Sequence, residues 1–414
     1  MHFSKKSLTL LSVLFIFCLD AFGPGLIHSI CASLVSTKQN IFILQDASLF
    51  KTGFILVTLY ILFPIAQFIA APLAGDFSDI FGHKKTLIFT LIGSICGYLL
   101  ISLSIFLSSV WLLYASCFFT GLFASNGAIG YAAVAGLDKE EAARAKNFSL
   151  IISIGSIGSV AAITVGPLFF IPLKDPFLSF VFPFLIAAGL FAGNLLFMLF
   201  AFEKDIPSSG KASFNLANET HNIIGALRDP KFKNSCFVFF FLVSSWTICF
   251  QYYPINLIDS FHTTPFQVMI NLMMVSIAWF CSNFFFQKRF ASVAHPQQML
   301  SITLFIFSLF IFSCFIQKTY FLFSLYFTLM SIFAALSWSN SLTYVSLSAS
   351  SENQGRAFGI IQSFSSLAAI ITTLLKNATA SFYPKSVFLL GISYAILALI
   401  YLHKNNKAYP TKPV

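Results

Sequence analysis

The sequence predicts an all-α membrane protein with twelve transmembrane helices in two six-helix halves. Three observations predict it: the scarcity of charge, a series of apolar stretches of spanning length, and the placement of Lys and Arg. Hydrophobic residues make up 57% of the 414 residues and charged residues only 9%, against about 25% charged in ordinary globular chains. So few charges cannot coat a water-facing surface, so much of the surface faces lipid.

A spanning helix needs about 20 mainly apolar residues. Twelve stretches qualify, at roughly 8–31, 50–71, 86–106, 109–134, 147–171, 177–202, 235–258, 265–287, 298–316, 319–346, 357–380 and 385–403. Lys5-Lys6 followed by Leu8 to Leu19 has the look of a signal peptide. The apolar run continues to about Ile30 with no small-x-small cleavage site, so it is read as an uncleaved first span. The longest connection, 203–234, falls mid-chain and carries Glu203, Lys204, Asp205, Pro207, Gly210, Lys211, Arg228 and Asp229. It divides the chain into an N-terminal half, 1–202, and a C-terminal half, 235–414.

With the N-terminus placed in the cytoplasm, the cytoplasmic tails and loops hold every Lys and Arg except Lys38, Lys51, Lys174, Lys318, Lys376 and Lys385. That positive-inside bias sets both termini and the central loop in the cytoplasm, and an even span number follows. In a bacterium the expected location is the cytoplasmic membrane. The formal charge of +10 is therefore a matter of orientation and not of nucleic-acid binding. The halves also echo each other. Arg144-Ala145-Lys146-Asn147-Phe148 precedes span 5, and Arg356-Ala357-Phe358 precedes span 11, with Phe148 and Phe358 at equivalent places.

The eight cysteines fall inside apolar runs without a CxxC pair, so no zinc site, disulfide framework or other cofactor is expected. No P-loop, HExxH or serine-nucleophile motif is present, which argues against an ATP-driven pump and against a membrane enzyme. The expected partners are a small-molecule substrate, protons and the lipid bilayer, and a monomer is expected.

Of fourteen acidic residues, only Asp20 falls well inside a span. An ionised carboxylate at mid-membrane costs about 2.5–3.5 kcal/mol on insertion scales. Asp20 must face a water-filled cavity, bind a proton, or hydrogen-bond to a neighbouring helix in a structural role. Gly23-Pro24-Gly25 just beyond it weakens the helix, a feature found where backbone lines a cavity. His28 lies two turns on, as a second titrating candidate or a polar residue near the outer end. Gln67, Asn126, Gln251, Asn256, Asn340 and Gln362 are candidate cavity contacts or interhelical hydrogen-bonding groups. Tyr252-Tyr253-Pro254 is expected to kink span 7. Trp246, Trp279 and Trp338 line a cavity or fill helix contacts. No Lys or Arg lies deep within a span, so a neutral, cationic or lipophilic solute fits better than an anion.

The loop after span 2 reads Gly75-Asp76-Phe77-Ser78-Asp79-Ile80-Phe81-Gly82-His83-Lys84-Lys85. Gly82 permits a sharp turn, Asp79 can accept from a helix N-terminus or pair with a base, and the lysines hold the loop inside. This stretch resembles the Gly-x-x-x-Asp-Arg-x-Gly-Arg-Arg signature between helices 2 and 3 of the major facilitator superfamily. Gly75, Asp79, Gly82 and Lys84 match, and Ile80 stands where the family has Arg. Leu19-Asp20-Ala21-Phe22-Gly23-Pro24-Gly25-Leu26-Ile27 is similar to helix 1 of the tetracycline and multidrug proton-antiporter branch. Gly166-Pro167 resembles that branch's helix 5 signature, with Ala162 and Phe169-Phe170 in place of its other glycines. The resemblance implies a major-facilitator-type fold that alternates access between its halves. It also implies proton coupling at Asp20, and gating by Gly75, Asp79, Gly82 and Lys84 together with Arg144 and the start of span 11. Export of drug-like or metabolite compounds is the implied activity. Uptake of a neutral or cationic nutrient, or a sensor that does not transport, are the alternatives.

Overall fold

The computed structural model describes residues 5–36, 49–135, 141–168, 176–201, 225, 227–290, 295–350, 353–380 and 385–404. Twelve helical spans run in chain order. They are α1 (Lys5–Ser36), α2 (Leu49–Phe81), α3 (His83–Phe106), α4 (Val110–Ala135), α5 (Glu141–Leu168), α6 (Pro176–Ala201) and α7 (Pro230–Phe261). Next come α8 (Pro265–Cys281, continued to Phe290), α9 (Pro296–Ile316), α10 (Tyr320–Ser348), α11 (Gln354–Ala380) and α12 (Ser386–Lys404). Among the described residues, eleven of these helices are long and apolar enough to cross a membrane, and Leu8–Gly23 is the apolar stretch of α1.

Several starts are written in the sequence. Asp229-Pro230, Thr264-Pro265 and His295-Pro296 each place a capping side chain before a proline at the first helical position. Thr264 and Gln267 close a reciprocal capping box. The α2–α3 connection is a single residue, Gly82, at φ 96°. A β-carbon is strained there, so glycine is required at this turn.

The helices pack by a repeated plan. In the first half α1 packs on α5 and α6, α3 on α6, and α4 on α2 and α3. In the second half α7 packs on α11 and α12, α9 on α12, and α10 on α8 and α9. The halves meet where α2 packs on α11 and α5 on α8. Position two of each half thus meets position five of the other, the relation a pseudo-two-fold axis demands. One apolar core fills the first half and crosses the seam to Phe239, Leu342, Val345 and Phe358, a second lies within the second half, and Trp279 packs against both.

Four features depart from or add to the sequence expectation. Helix α1 runs through Gly23-Pro24-Gly25 without interruption. The interruption falls in α4, between Phe123 and Asn126. Helix α2 continues ten residues beyond the apolar run, so Gly75 to Asp79 are helical. Helix α8 carries a π turn at Ser282–Phe286.

Candidate functional site

Two polar clusters stand out, one at mid-span and one at the end of the bundle that holds Asp79. The first is built on the break in α4. A helix interruption frees carbonyls above it and amides below it. The Ala124 carbonyl accepts from Gln67 Nε2 of α2. Below the break, the Gly127 N–H donates to the Asp20 carboxylate. Asn126 Nδ2 also donates to Asp20 Oδ1 at 3.0 Å. Asn126 is itself oriented by Thr90, whose hydroxyl donates to Asn126 Oδ1 at 2.5 Å. The positive end of the lower α4 segment, Asn126–Ala135, therefore faces the one carboxylate predicted at mid-span.

Gln362 of α11 reaches the same place. Its Oε1 and Asp20 Oδ2 lie 3.8 and 3.9 Å from where a Gly127 β-carbon would stand. Gln67 links outward as well, since Ser366 Oγ of α11 donates to Gln67 Oε1 at 2.8 Å. Asp20, Asn126, Gln67 and Gln362 are thus brought together by α1, α4, α2 and α11.

The other cavity candidates lie elsewhere. Gln251 Nε2 donates to Thr373 Oγ1 at 3.1 Å, joining α7 to α11. Asn340 is buried, and its amide pairs with that of Gln287 at 2.8 and 3.1 Å. Asn256 is buried against the Tyr252 hydroxyl. In this conformation both asparagines are packing contacts. The His28 side chain lies outside the described residues, as do the surroundings of Gly166 and Pro167 in the last turn of α5.

The second cluster closes the halves against each other. Asp79 accepts from the backbone N–H groups of Gly355 and Arg356, both at 2.8 Å, and so caps α11. Asp76, one turn earlier and fully buried, pairs with Arg356 Nε at 2.6 Å. A β-carbon on Gly75 would collide with the Gly355 carbonyl, and one on Gly359 would collide with the Ala71 carbonyl. Gly75, Gly355 and Gly359 let the two backbones touch, as small residues do at membrane helix crossings. Arg144 Nη1 of α5 donates to Ser346 Oγ at 3.0 Å, and Ser346 Oγ donates to Gln354 Oε1 at 2.8 Å. Lys84 Nζ donates to the Leu199 carbonyl near the end of α6 at 3.0 Å. Between the clusters, Phe148 and Phe358 meet edge-on at 5.5 Å, each also against Tyr131. The two echoing positions of the sequence are therefore in contact at the seam.

Sequence reasoning missed Asp76, Gly355, Gly359 and Ser366. Gly355-x-x-x-Gly359 was a visible small-residue signal. Nothing local marked Asp76, since a second carboxylate in a cytoplasmic loop reads as a solvated charge.

The sequence model of the Major Facilitator Superfamily matches residues 8–291 and again 235–413. The chain belongs to the Major Facilitator Superfamily. This member is similar to the class C tetracycline resistance protein of Escherichia coli, with 30% identity over 48% of this chain and 46% of that protein. The chain thus matches about half the length of such curated relatives. In fold it is similar to the human organic anion transporter MFSD10, with a TM-score of 0.80 at 16% identity over 96% of this chain and 99% of that one. It is also similar to the E. coli fucose:proton symporter, with a TM-score of 0.77 at 14% identity over 97% and 99%. The superfamily member is a multi-pass integral membrane protein.

Proposed function

We propose that this chain is a proton-coupled secondary transporter that exports drug-like or metabolite small molecules by alternating access, acting as a monomer. Both termini and the 203–234 loop lie in the cytoplasm on this reading, in the cytoplasmic membrane of a bacterial host. The halves 1–202 and 235–414 rock about the site between them. The named function of the tetracycline resistance relatives supports export.

One observation carries the reading. A mid-span carboxylate, Asp20, is held by Asn126 and by the N-terminus of a broken helix, beside the seam between the halves. Protonation removes the charge that the lower α4 segment faces, so the broken helix is where binding a proton is felt. With Asp79 capping α11 and Asp76 on Arg356, this conformation is shut at the cytoplasmic end.

The test is flux driven by a pH gradient in proteoliposomes, for wild type and Asp20→Asn at matched incorporation. Asn keeps size and hydrogen bonding but does not titrate. Wild type should accumulate substrate against its gradient. Asp20→Asn should lose accumulation while keeping substrate exchange. Full proton-driven accumulation by the variant would leave Asp20 a packing residue and overturn the coupling.

A further inference from the structure

We infer that the π turn of α8 is a latch between the halves. Ser149 of the first half holds open a carbonyl that α8 takes back for itself, by rewinding from π to α, when the end that holds Asp79 opens. The inference rests on the reading that the halves part there.

The Gln287 N–H donates to the Ser282 carbonyl, five residues back. In an α-helix it would donate to the Asn283 carbonyl, four residues back. The π turn thus leaves the Asn283 carbonyl to an outside donor. Ser149 Oγ of α5 is that donor, at 2.5 Å. Ser149 adjoins Phe148, whose ring meets Phe358 at the seam. Ser149 and Asn283 are both buried, where a carbonyl without a donor is costly.

The side chains of the turn have partners to exchange as well. Asn283 Oδ1 is buried without a hydrogen-bond partner among the described residues. Gln287, also buried, pairs with Asn340 of α10. Rewinding places 283 and 287 four residues apart on one α-helical face, where Gln287 can pair with Asn283 instead. Asn340 then keeps its bond to the Leu336 carbonyl, now at 2.8 Å. One backbone bond replaces another, and one lone side-chain oxygen replaces another. The two windings are therefore close to balance, as a two-state element requires. Ser282 Oγ donates to the Ile332 carbonyl of α10 at 2.7 Å and anchors the near side, so the segment beyond the turn is the part that moves.

The α2–α11 seam has a contrasting fastening. Pro72 lacks the N–H that would reach the Phe68 carbonyl, and Ser363 Oγ of α11 donates to that carbonyl at 2.7 Å. Each seam thus joins a serine on the fifth helix of one half to a freed carbonyl on the second helix of the other. A proline never takes its carbonyl back, whereas Gln287 can. Only the α5–α8 fastening lets go without stranding a backbone carbonyl.

The test is double electron-electron resonance on the purified full chain. Nitroxides on a ketone-bearing residue at exposed positions 289 and 404, both in the second half, read the winding of α8. A pair at exposed positions 146 and 404 reads the separation of the halves. Rewinding turns the segment beyond 286 by about 100° and carries a side-chain tip about 8 Å. Ser149→Ala should raise the rewound population by about threefold to tenfold and lengthen the 146–404 distance with it, at little cost in melting temperature. Adding Asn283→Leu removes the oxygen that the rewound form uses and should reverse the shift. Ser363→Ala loses the same hydroxyl but strands the Phe68 carbonyl, so it should lower the melting temperature clearly more. The latch is overturned if the 289–404 distance ignores Ser149→Ala, if Asn283→Leu fails to reverse the shift, or if the two serine variants lower the melting temperature alike. Wild-type flux under a pH gradient is measured alongside. Rewinding and parting together without flux would support the latch and refute transport. Flux, with the halves parting over an unchanged α8, would do the reverse.

Discussion

Gly355→Ala tests the α2–α11 seam. Helix propensity makes the change favourable by at most about 1 kcal/mol, because Gly355 stands in the first turn of α11 and not in its interior. That gain is common to any state in which α11 is helical, so it cancels from the opening equilibrium. The seam is different. The new β-carbon would lie 2.5 Å from Asp79 Oδ1, 2.5 Å from the Gly75 carbonyl oxygen and 2.7 Å from Ser78 Oγ. The carbonyl is backbone and cannot rotate away, so α2 and α11 must part. Overpacking of this kind costs about 1–3 kcal/mol. Displacing Asp79 from the Gly355 and Arg356 amides adds about 1.5 kcal/mol, the low end for charged hydrogen bonds at a partly exposed site. About 3 kcal/mol in all shifts the closed-to-open ratio at the Asp79 end by about a hundredfold. The assay is double electron-electron resonance between spin labels on α2 and α11 near that end. The distance distribution should lengthen while thermal stability changes little. An unchanged distribution in a folded variant would refute the reasoning.

Three further changes have defined outcomes. Gly82→Ala puts a β-carbon at φ 96°, a strain of about 1–3 kcal/mol, and should lower the melting temperature; an unchanged melt would deny the strain. Asp76→Asn removes a fully buried carboxylate from an Arg356 that is 21% exposed, and should cost about 1–3 kcal/mol, less than a fully buried pair; a double-mutant cycle with Arg356→Gln should show coupling, and additive losses would contradict the pair. Gln67→Ala leaves the Ala124 carbonyl and the Ser366 hydroxyl without their partner, and should lower stability by about 0.6–1.7 kcal/mol with slower flux; wild-type values for both would dismiss the link.

The spans were legible because lipid demands long apolar stretches, and that demand is local in sequence. Asp20 was legible for the complementary reason: one carboxylate in such a stretch needs an explanation. The ends were less legible. Asp76, Ser78 and Asp79 lower hydropathy, so α2 reads as finished at 71, although its backbone runs to Phe81 and buries Asp76 against Arg356 from the other half. Only tertiary contact reveals that partner. The α4 break left only a modest local mark, Ser125-Asn126-Gly127 inside an apolar stretch with no proline, and that mark did not outweigh the stretch's spanning length. It exists because Gln67 and Asp20, distant in sequence, receive the groups it frees. Gly23-Pro24-Gly25 showed the opposite case, a strong local signal that the helix absorbs.

The interruption in α4 has a consequence for how the molecule can move. Two rigid halves turning about one axis would have a single degree of freedom, fixed by the seam alone. A jointed α4 gives the first half a second one, at the depth of Asp20. Of the groups released at the joint, an amide goes inward to Asp20 and a carbonyl goes sideways to Gln67, and through Gln67 to Ser366 of the opposite half. The lower segment carries Tyr131 to the contact with Phe148 and Phe358. Tilting that ten-residue segment would displace the ring packed on the two echoing phenylalanines without moving the outer part of α4. A change of charge on one carboxyl would act at the head of a segment about 15 Å long, with Tyr131 about half way along it.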